Sequence, residues 1–169
     1  MGVNISVGIS EFSEIRKNGY YYIDKTGLIE ELVKNSGAKV TLITRPRRFG
    51  KTLAMNMLAE FFDIRKDSSS LFEGLKVSQD KGICSKWMNK WPVLFISFKR
   101  VDGLNFQDAY AMLCSVVTEI CAEHKYILDS NNISEYDRKT LENIIEQKAS
   151  ATEIKNSIVS LTRAMEIYY

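Results

Sequence analysis

The sequence of 169 residues has few of the side chains that build a disulfide framework or a zinc site. Its three cysteines, Cys84, Cys114 and Cys121, form no CxxC pair and cannot all be bridged to one another. The chain has a single histidine, His124, which is not enough to complete a zinc site with the usual ligand spacing. The cysteines are therefore expected to be free thiols in a reducing cytosol.

A strong charge of one sign and long apolar runs are also absent. The 23 basic and 21 acidic residues leave a net charge of +2, which is too small to indicate a nucleic-acid or membrane partner. No apolar run approaches the roughly 20 residues of a membrane helix, and the N-terminus lacks the pattern of a secretory signal. We therefore expect a cytoplasmic protein. The basic charge is concentrated locally, since Arg45, Arg47, Arg48 and Lys51 lie within seven residues.

What is present indicates one globular domain, or most of one. The hydrophobic fraction of 45% is ordinary for a soluble protein, and the length is enough to bury a core. We divide the chain into an N-terminal segment with a helix (residues 1–39), a strand–loop–helix (40–62), and a second strand with helices (63–169).

The pattern of apolar residues alternates between strand and helix. Residues 40–44 and 92–98 are β-branched or apolar almost throughout, which predicts strands buried on both faces of a parallel sheet. The helical patterns cover residues 26–35, 51–62, 105–124, 134–148 and about 151–168. Residues 63–91 show no clear period and are expected to be irregular. This order predicts an α/β fold, a parallel sheet of the P-loop NTPase type flanked by helices.

The loop between the first strand and its helix resembles the Walker A pattern G-x-x-x-x-G-K-[ST], since residues 45–52 read RPRRFGKT. Gly50 lets backbone amides approach a phosphate, and the helix start adds N–H groups and partial positive charge. Lys51, the predicted catalytic residue, would reach the β- and γ-phosphates, and the Thr52 hydroxyl would join a Mg²⁺ shell. The predicted nucleotide-binding residues are Arg45, Pro46, Arg47, Arg48, Phe49, Gly50, Lys51, Thr52 and Leu53.

One position departs from that pattern, because Arg45 stands where the first glycine is expected. Pro46 fixes its own φ and pushes Arg45 toward an extended conformation, so proline can preorganise a turn that glycine usually eases. Arg47 and Arg48 fit either phosphate contacts or a solvated surface, and the sequence favours neither.

Three longer motifs point to one family. Residues 21–26 read YYIDKT, residues 44–53 read TRPRRFGKTL, and residues 92–98 read PVLFISF. In this combination the chain resembles the bacterial AAA-ATPase-like family over about residues 10–169. The resemblance implies ATP and Mg²⁺ as ligands, and it makes arginine the usual residue at position 45.

Two features of that family are missing from these 169 residues. Its members carry a Walker B strand ending in acidic residues, and many carry a domain similar to PD-(D/E)XK nucleases. The resemblance therefore implies an incomplete sheet whose exposed edges would favour self-association. Because Walker B acids help to hold Mg²⁺ and to orient the attacking water, we expect nucleotide binding here, and hydrolysis mainly in a longer protein.

Two interpretations of residues 21–26 stay open. In one, Tyr21 or Ile23 lies against the adenine, and Asp24 or Lys25 buttresses the loop. In the other, which we favour, the segment is a packing strand followed by a helix cap.

Three functions are compatible with the motifs. The first is ATP binding by part of an ATPase, and the second is a regulatory or protein-interaction module that binds nucleotide without turnover. The third is nucleic-acid binding through the arginine cluster. It is the weakest, because those arginines coincide with the phosphate loop and the net charge is near zero.

Overall fold

A computed structural model describes residues 4–5, 8–34, 37, 39–46 and 48–169. The chain divides into two compact units, the first ending at Phe95 and the second beginning at Ile96. Each unit is described separately below.

Short helices make up the described part of the first unit. They are α1 (Phe12–Lys17), α2 (Gly27–Lys34), α3 (Lys51–Phe62), α4 (Ser69–Phe72) and α5 (Lys81–Trp87), with a 3-10 helix at Lys76–Gln79. Helices α2 and α3 were predicted. The expectation that residues 63–91 are irregular is wrong, because α4, the 3-10 helix and α5 lie there. These helices have only 4 to 7 residues, too few for an apolar period to show in the sequence.

Helix α3 lies against the aromatic core of this unit. The fully buried rings of Phe12, Phe61 and Phe72 pack together, with centroids 5.0 Å apart for Phe12 and Phe72 and 5.2 Å apart for Phe61 and Phe72. Met57 adds a second fully buried side chain from α3. Burying each such side chain contributes about 1.5–3 kcal/mol, so packing fixes the position of α3 and of the loop before it.

The C-terminal end of α3 is held by one asparagine. The Asn89 side-chain amide donates to the carbonyls of Glu60 (3.1 Å) and Asp63 (2.9 Å), and its oxygen accepts from the Ser68 amide (3.0 Å). Asn89 has φ 53°, a left-handed conformation that asparagine tolerates better than most residues. The last carbonyls of a helix lack intrahelical partners, so this side chain supplies what the helix itself cannot.

The second unit contains three helices of 11 to 18 residues, α6 (Phe106–Glu123), α7 (Glu135–Ile145) and α8 (Ala151–Tyr168), with a 3-10 helix at Lys125–Asp129. All three were predicted from the sequence. A polar side chain precedes each one and accepts a hydrogen bond from the first turn, as N-caps do. These caps are Asn105, Ser134 and Ser150.

The three helices bury one another's apolar faces. The buried apolar side chains of these helices are Val116, Val117, Ile120, Cys121, Leu141, Ile144, Leu161, Ala164 and Met165. Burial raises the pKa of the Cys121 thiol to about 12, which makes it an inert core residue. Cys114, on the same helix, is only partly buried.

The predicted parallel sheet is wrong, because the described residues contain no strand. Residues 40–46 and 92–98 have no regular secondary structure, and the β-bridge between Asp63 and Trp91 is isolated. An apolar β-branched run forms a strand only when a neighbouring strand pairs with its N–H and C=O groups. Val40 and Leu42 are instead 85% and 83% exposed. The expected self-association through sheet edges therefore loses its structural basis.

Candidate functional site

The turn into α3 depends on Gly50. This residue is the N-cap of the helix and has φ 73° and ψ 29°, a left-handed conformation that glycine adopts without steric cost. Arg48, two residues earlier, also has a positive φ of 69°. The first N–H groups of a helix have no intrahelical partner, and Gly50 has no side chain with which to cap them. The start of α3 therefore presents donors and partial positive charge.

Lys51 folds back over the loop that precedes it. Its ammonium donates to the carbonyl of Arg45 at 2.5 Å and to the carbonyl of Pro46 at 3.1 Å. These bonds tie the beginning of the loop to the first residue of α3. The cation is thereby kept at the loop although its side chain is exposed.

A second lysine reaches the same loop from the YYIDKT segment. The Lys25 ammonium donates to the Phe49 carbonyl at 2.9 Å. The same nitrogen lies 3.0 Å from the position that a Cβ atom on Gly50 would occupy. Glycine is thus favoured at position 50 by its backbone conformation, and the close approach of this ammonium leaves little room for a side chain there.

A hydrogen-bonded turn sets the position of Lys25. One oxygen of Asp24 accepts from the amide (2.8 Å) and the hydroxyl (2.7 Å) of Thr26, and its other oxygen accepts from the Lys76 amide (2.7 Å). The buried Thr26 hydroxyl accepts in turn from the Val77 amide (3.2 Å). Burial raises the pKa of Asp24, but these hydrogen bonds outweigh it and hold the pKa below its usual range.

A groove of about 480 Å³ lies beside the loop, and none of the described residues that line it carries a carboxylate. Its lining residues are Gly8, Ile9, Ser10, Arg48, Gly50, Lys51, Thr52 and Leu53. The four loop and helix residues from Gly50 to Leu53 all belong to the predicted site. The wall from Gly8 to Ser10 was missed by the sequence analysis.

Asn56 anchors Glu11 and Phe12, the two residues that follow that wall. It lies one turn after Thr52 on α3, and its side-chain oxygen accepts from the Phe12 amide at 2.7 Å. Its side-chain nitrogen donates to the Glu11 carboxylate at 2.8 Å. The sequence holds only a weak signal for this contact, a polar residue within the apolar stretch of residues 53–59, and the structure shows that Asn56 is buried there.

The other predicted residues are distributed unevenly around the loop. Arg45, Pro46 and Phe49 are exposed, and Arg47 lies outside the described residues. Tyr21 and Ile23 are exposed as well and do not line the groove. In the favoured interpretation of residues 21–26, the packing strand is wrong, because residues 21–25 have no regular secondary structure. The Asp24–Thr26 turn lies just before α2, as the cap half of that interpretation expected, and Lys25 contacts the loop, as the other interpretation expected.

The side chains that line the groove are better suited to bind a phosphate group than to coordinate a metal ion without other ligands. In the described part of the chain, no three side chains of Asp, Glu, His or Cys come together as a metal site. The exposed Thr52 hydroxyl lies in the first turn of α3, where it can contribute one oxygen ligand. Mg²⁺ at such sites takes much of its coordination from phosphates and water, which fits this arrangement.

Comparison with known protein families decides the relationship. The family model described as "AAA-ATPase_like: Predicted AAA-ATPase" matches residues 6–162. The chain belongs to the AAA-ATPase-like family. Both the loop of residues 45–52 and the YYIDKT segment of this AAA-ATPase-like chain lie within the match, and the resemblance seen in the sequence is confirmed.

A curated relative is longer than this AAA-ATPase-like chain. It is an uncharacterized protein in the vnfD 5′ region of Azotobacter chroococcum mcd 1, 40% identical over 115 residues. The alignment covers 68% of the present chain and 20% of the relative, so the chain spans about one fifth of that protein. No solved structure matches. Among the described residues, no helix has both the length and the apolar character needed to cross a membrane.

Proposed function

We propose that this AAA-ATPase-like chain binds ATP with Mg²⁺ through residues 45–53. The observation that carries the proposal is the turn at Gly50, which opens the N-terminus of α3 beside an ammonium from Lys51. Backbone donors at a helix start, together with a lysine, form an arrangement that favours phosphate groups. The family match supports nucleotide binding in general.

Three residues of the loop and of the first turn of α3 then have distinct roles in nucleotide binding. Lys51 exchanges a loop carbonyl for the β- and γ-phosphates, and Thr52 supplies a hydroxyl to Mg²⁺. Arg48 lines the groove and adds positive charge there. A contact of Tyr21 or Ile23 with the adenine remains a prediction. Asp24 is less suited to it, because both of its oxygens already accept hydrogen bonds.

The groove favours binding over turnover by this chain alone. Hydrolysis depends on carboxylates that help to hold Mg²⁺ and on a group that orients the attacking water. None of the groove-lining residues is an Asp or Glu. We therefore propose that this chain alone binds the nucleotide without hydrolysing it rapidly. Rapid hydrolysis would require Asp or Glu side chains from outside the groove.

Calorimetric titration with Mg-ATP tests this function. We expect saturable binding by the native chain and a loss of at least about tenfold in Lys51→Ala, because a charge-assisted hydrogen bond to phosphate is removed. Lys34→Ala is the matched control, since Lys34 is also exposed but pairs with Glu30 on α2. Equal affinity in the native chain and Lys51→Ala would contradict the proposal.

A further inference from the structure

Two lysines hold the phosphate loop from its opposite ends. Lys51 binds the carbonyls of Arg45 and Pro46, at the start of the loop. Lys25 binds the carbonyl of Phe49, immediately before the left-handed turn at Gly50. Lys51 belongs to the Walker A-like pattern, whereas Lys25 comes from a separate segment 24 residues away from Phe49.

The contact with Lys25 fixes the direction of one peptide group. In a planar trans peptide the C=O and N–H groups point in opposite directions. Because the Phe49 carbonyl is directed at the Lys25 ammonium, the Gly50 N–H is directed away from it. Rotating this peptide would turn an oxygen to the side where the N–H now lies, and an oxygen repels a phosphate. Glycine at position 50 makes such rotation easy unless something prevents it.

Lys25 is well placed to prevent that rotation. The residues on either side of it are anchored, Asp24 by the Lys76 amide and Thr26 by the Val77 amide. Thr26 is fully buried, so the backbone on the C-terminal side of Lys25 is fixed in the core of the first unit. The ammonium is therefore supported from a site outside the loop.

We propose that Lys25 is a positioning residue of the phosphate loop, which sets the direction of the Phe49–Gly50 peptide and thereby the affinity for phosphate. This inference rests on the proposed function. Lys25 acts through the peptide and does not itself touch the phosphates. A change at Lys25 should therefore affect every ligand whose phosphates occupy the loop, and affect them equally.

The test compares Lys25→Met, which keeps the aliphatic stem, with Lys25→Arg, which keeps a cationic donor. Titrations use Mg-ATP, Mg-ADP and inorganic pyrophosphate. We expect Lys25→Met to weaken all three by a similar factor of roughly 10–100, the size expected for losing a charge-assisted hydrogen bond. Lys25→Arg should recover most of the affinity, which a loss of packing alone would not explain. A loss confined to Mg-ATP would indicate direct contact with the γ-phosphate and would overturn the positioning role.

A second measurement needs no ligand. With glycine-selective ¹⁵N labelling of the nine glycines, the Gly50 amide resonance should shift in Lys25→Met and stay near its native position in Lys25→Arg. An unchanged Gly50 resonance in Lys25→Met would contradict the inference. Failure of the native chain to bind Mg-ATP would overturn the proposed function and the phosphate role of Lys25 together. Native binding that is unaffected by Lys25→Met would overturn the role of Lys25 alone.

Discussion

Gly50 has a left-handed backbone conformation and lies close to the Lys25 ammonium. Alanine substitutions at Gly50 and at a control glycine can separate the consequences of these two features. In Gly50→Ala, the positive φ costs about 1–2 kcal/mol of stability. The new Cβ would also lie 3.0 Å from the Lys25 nitrogen, which must shift and so perturbs its hydrogen bond to the Phe49 carbonyl. We expect Gly50→Ala to lower stability in urea denaturation and to abolish Mg-ATP binding in calorimetry.

Gly74 provides the matched control for that substitution. Its φ of 75° is nearly the same, and a Cβ there would meet nothing within 4 Å. Gly74→Ala should lose a similar amount of stability and keep its affinity for Mg-ATP. If both variants retained binding, the close contact at Gly50 would have no functional importance.

Asp24 should make stability depend on pH in the acid range. Its pKa is lowered in the folded chain, so its contribution is present above the unfolded pKa of about 4 and is lost as pH falls through the folded pKa. Asp24→Asn replaces one acceptor oxygen with an NH₂ group that faces an N–H donor. We expect this variant to be about 1 kcal/mol less stable than the native chain at pH 7.

The difference between these two proteins should shrink as pH falls below about 4, where Asp24 of the unfolded chain becomes protonated, and should be lost as pH falls through the lowered pKa of the folded chain. Urea denaturation at pH 7, 5 and 3 measures it, with the exposed Asp129→Asn of the second unit as the control. A stability difference that stays constant from pH 7 to pH 3 would show that the Asp24 charge is not involved.

At the scale of elements, the C-terminal end of α3 depends on Asn89. Asn89→Ala removes three hydrogen bonds and places alanine at φ 53°. Asn89→Gly removes the same bonds without the backbone strain. We expect both variants to be destabilised, by roughly 2 kcal/mol for glycine and about 1 kcal/mol more for alanine, in chemical denaturation. Equal stability of Asn89→Ala and the native chain would mean that water replaces the cap without cost.

Helices could be predicted from the sequence wherever their signals are local. Helix α8, for example, has an apolar period and a capping box of Ser150 and Glu153 within its own residues. Local signals cannot decide whether residues 40–44 and 92–98 form strands, because a strand requires a hydrogen-bonding partner elsewhere in the chain. A short apolar run shows only that a segment suits burial, and here Val40 and Leu42 remain exposed.

The residues of the candidate site also differ in whether they depend on local or on distant contacts in the chain. Gly50, Lys51 and Thr52 could be found from the sequence, because the Walker A-like pattern is contiguous. The wall from Gly8 to Ser10 leads directly into Glu11 and Phe12, which bind Asn56, a residue more than 40 positions away from Phe12 in the chain. Contacts across such distances leave only weak traces in one sequence, which is why this wall was missed.

At the scale of the whole molecule, the two units offer separate spectroscopic signals. Both tryptophans, Trp87 and Trp91, lie in the first unit and stack with centroids 5.2 Å apart. Trp87 also packs against Phe62 at the end of α3, at 6.4 Å. Tryptophan fluorescence therefore reports on the unit that carries the proposed phosphate-binding loop of residues 45–53. Far-UV circular dichroism also includes α6, α7 and α8 of the second unit.

Mg-ATP should stabilise the first unit by mass action. A ligand at about ten times its Kd adds roughly 1.4 kcal/mol to the stability of the state that binds it. For a unit of 95 residues this corresponds to an increase in Tm of about 5–10 °C. We expect that increase in the fluorescence melting curve of the native chain and no increase in Lys51→Ala. A ligand-induced increase in the circular-dichroism melting curve without one in fluorescence would place the binding site in the second unit and contradict the assignment to residues 45–53.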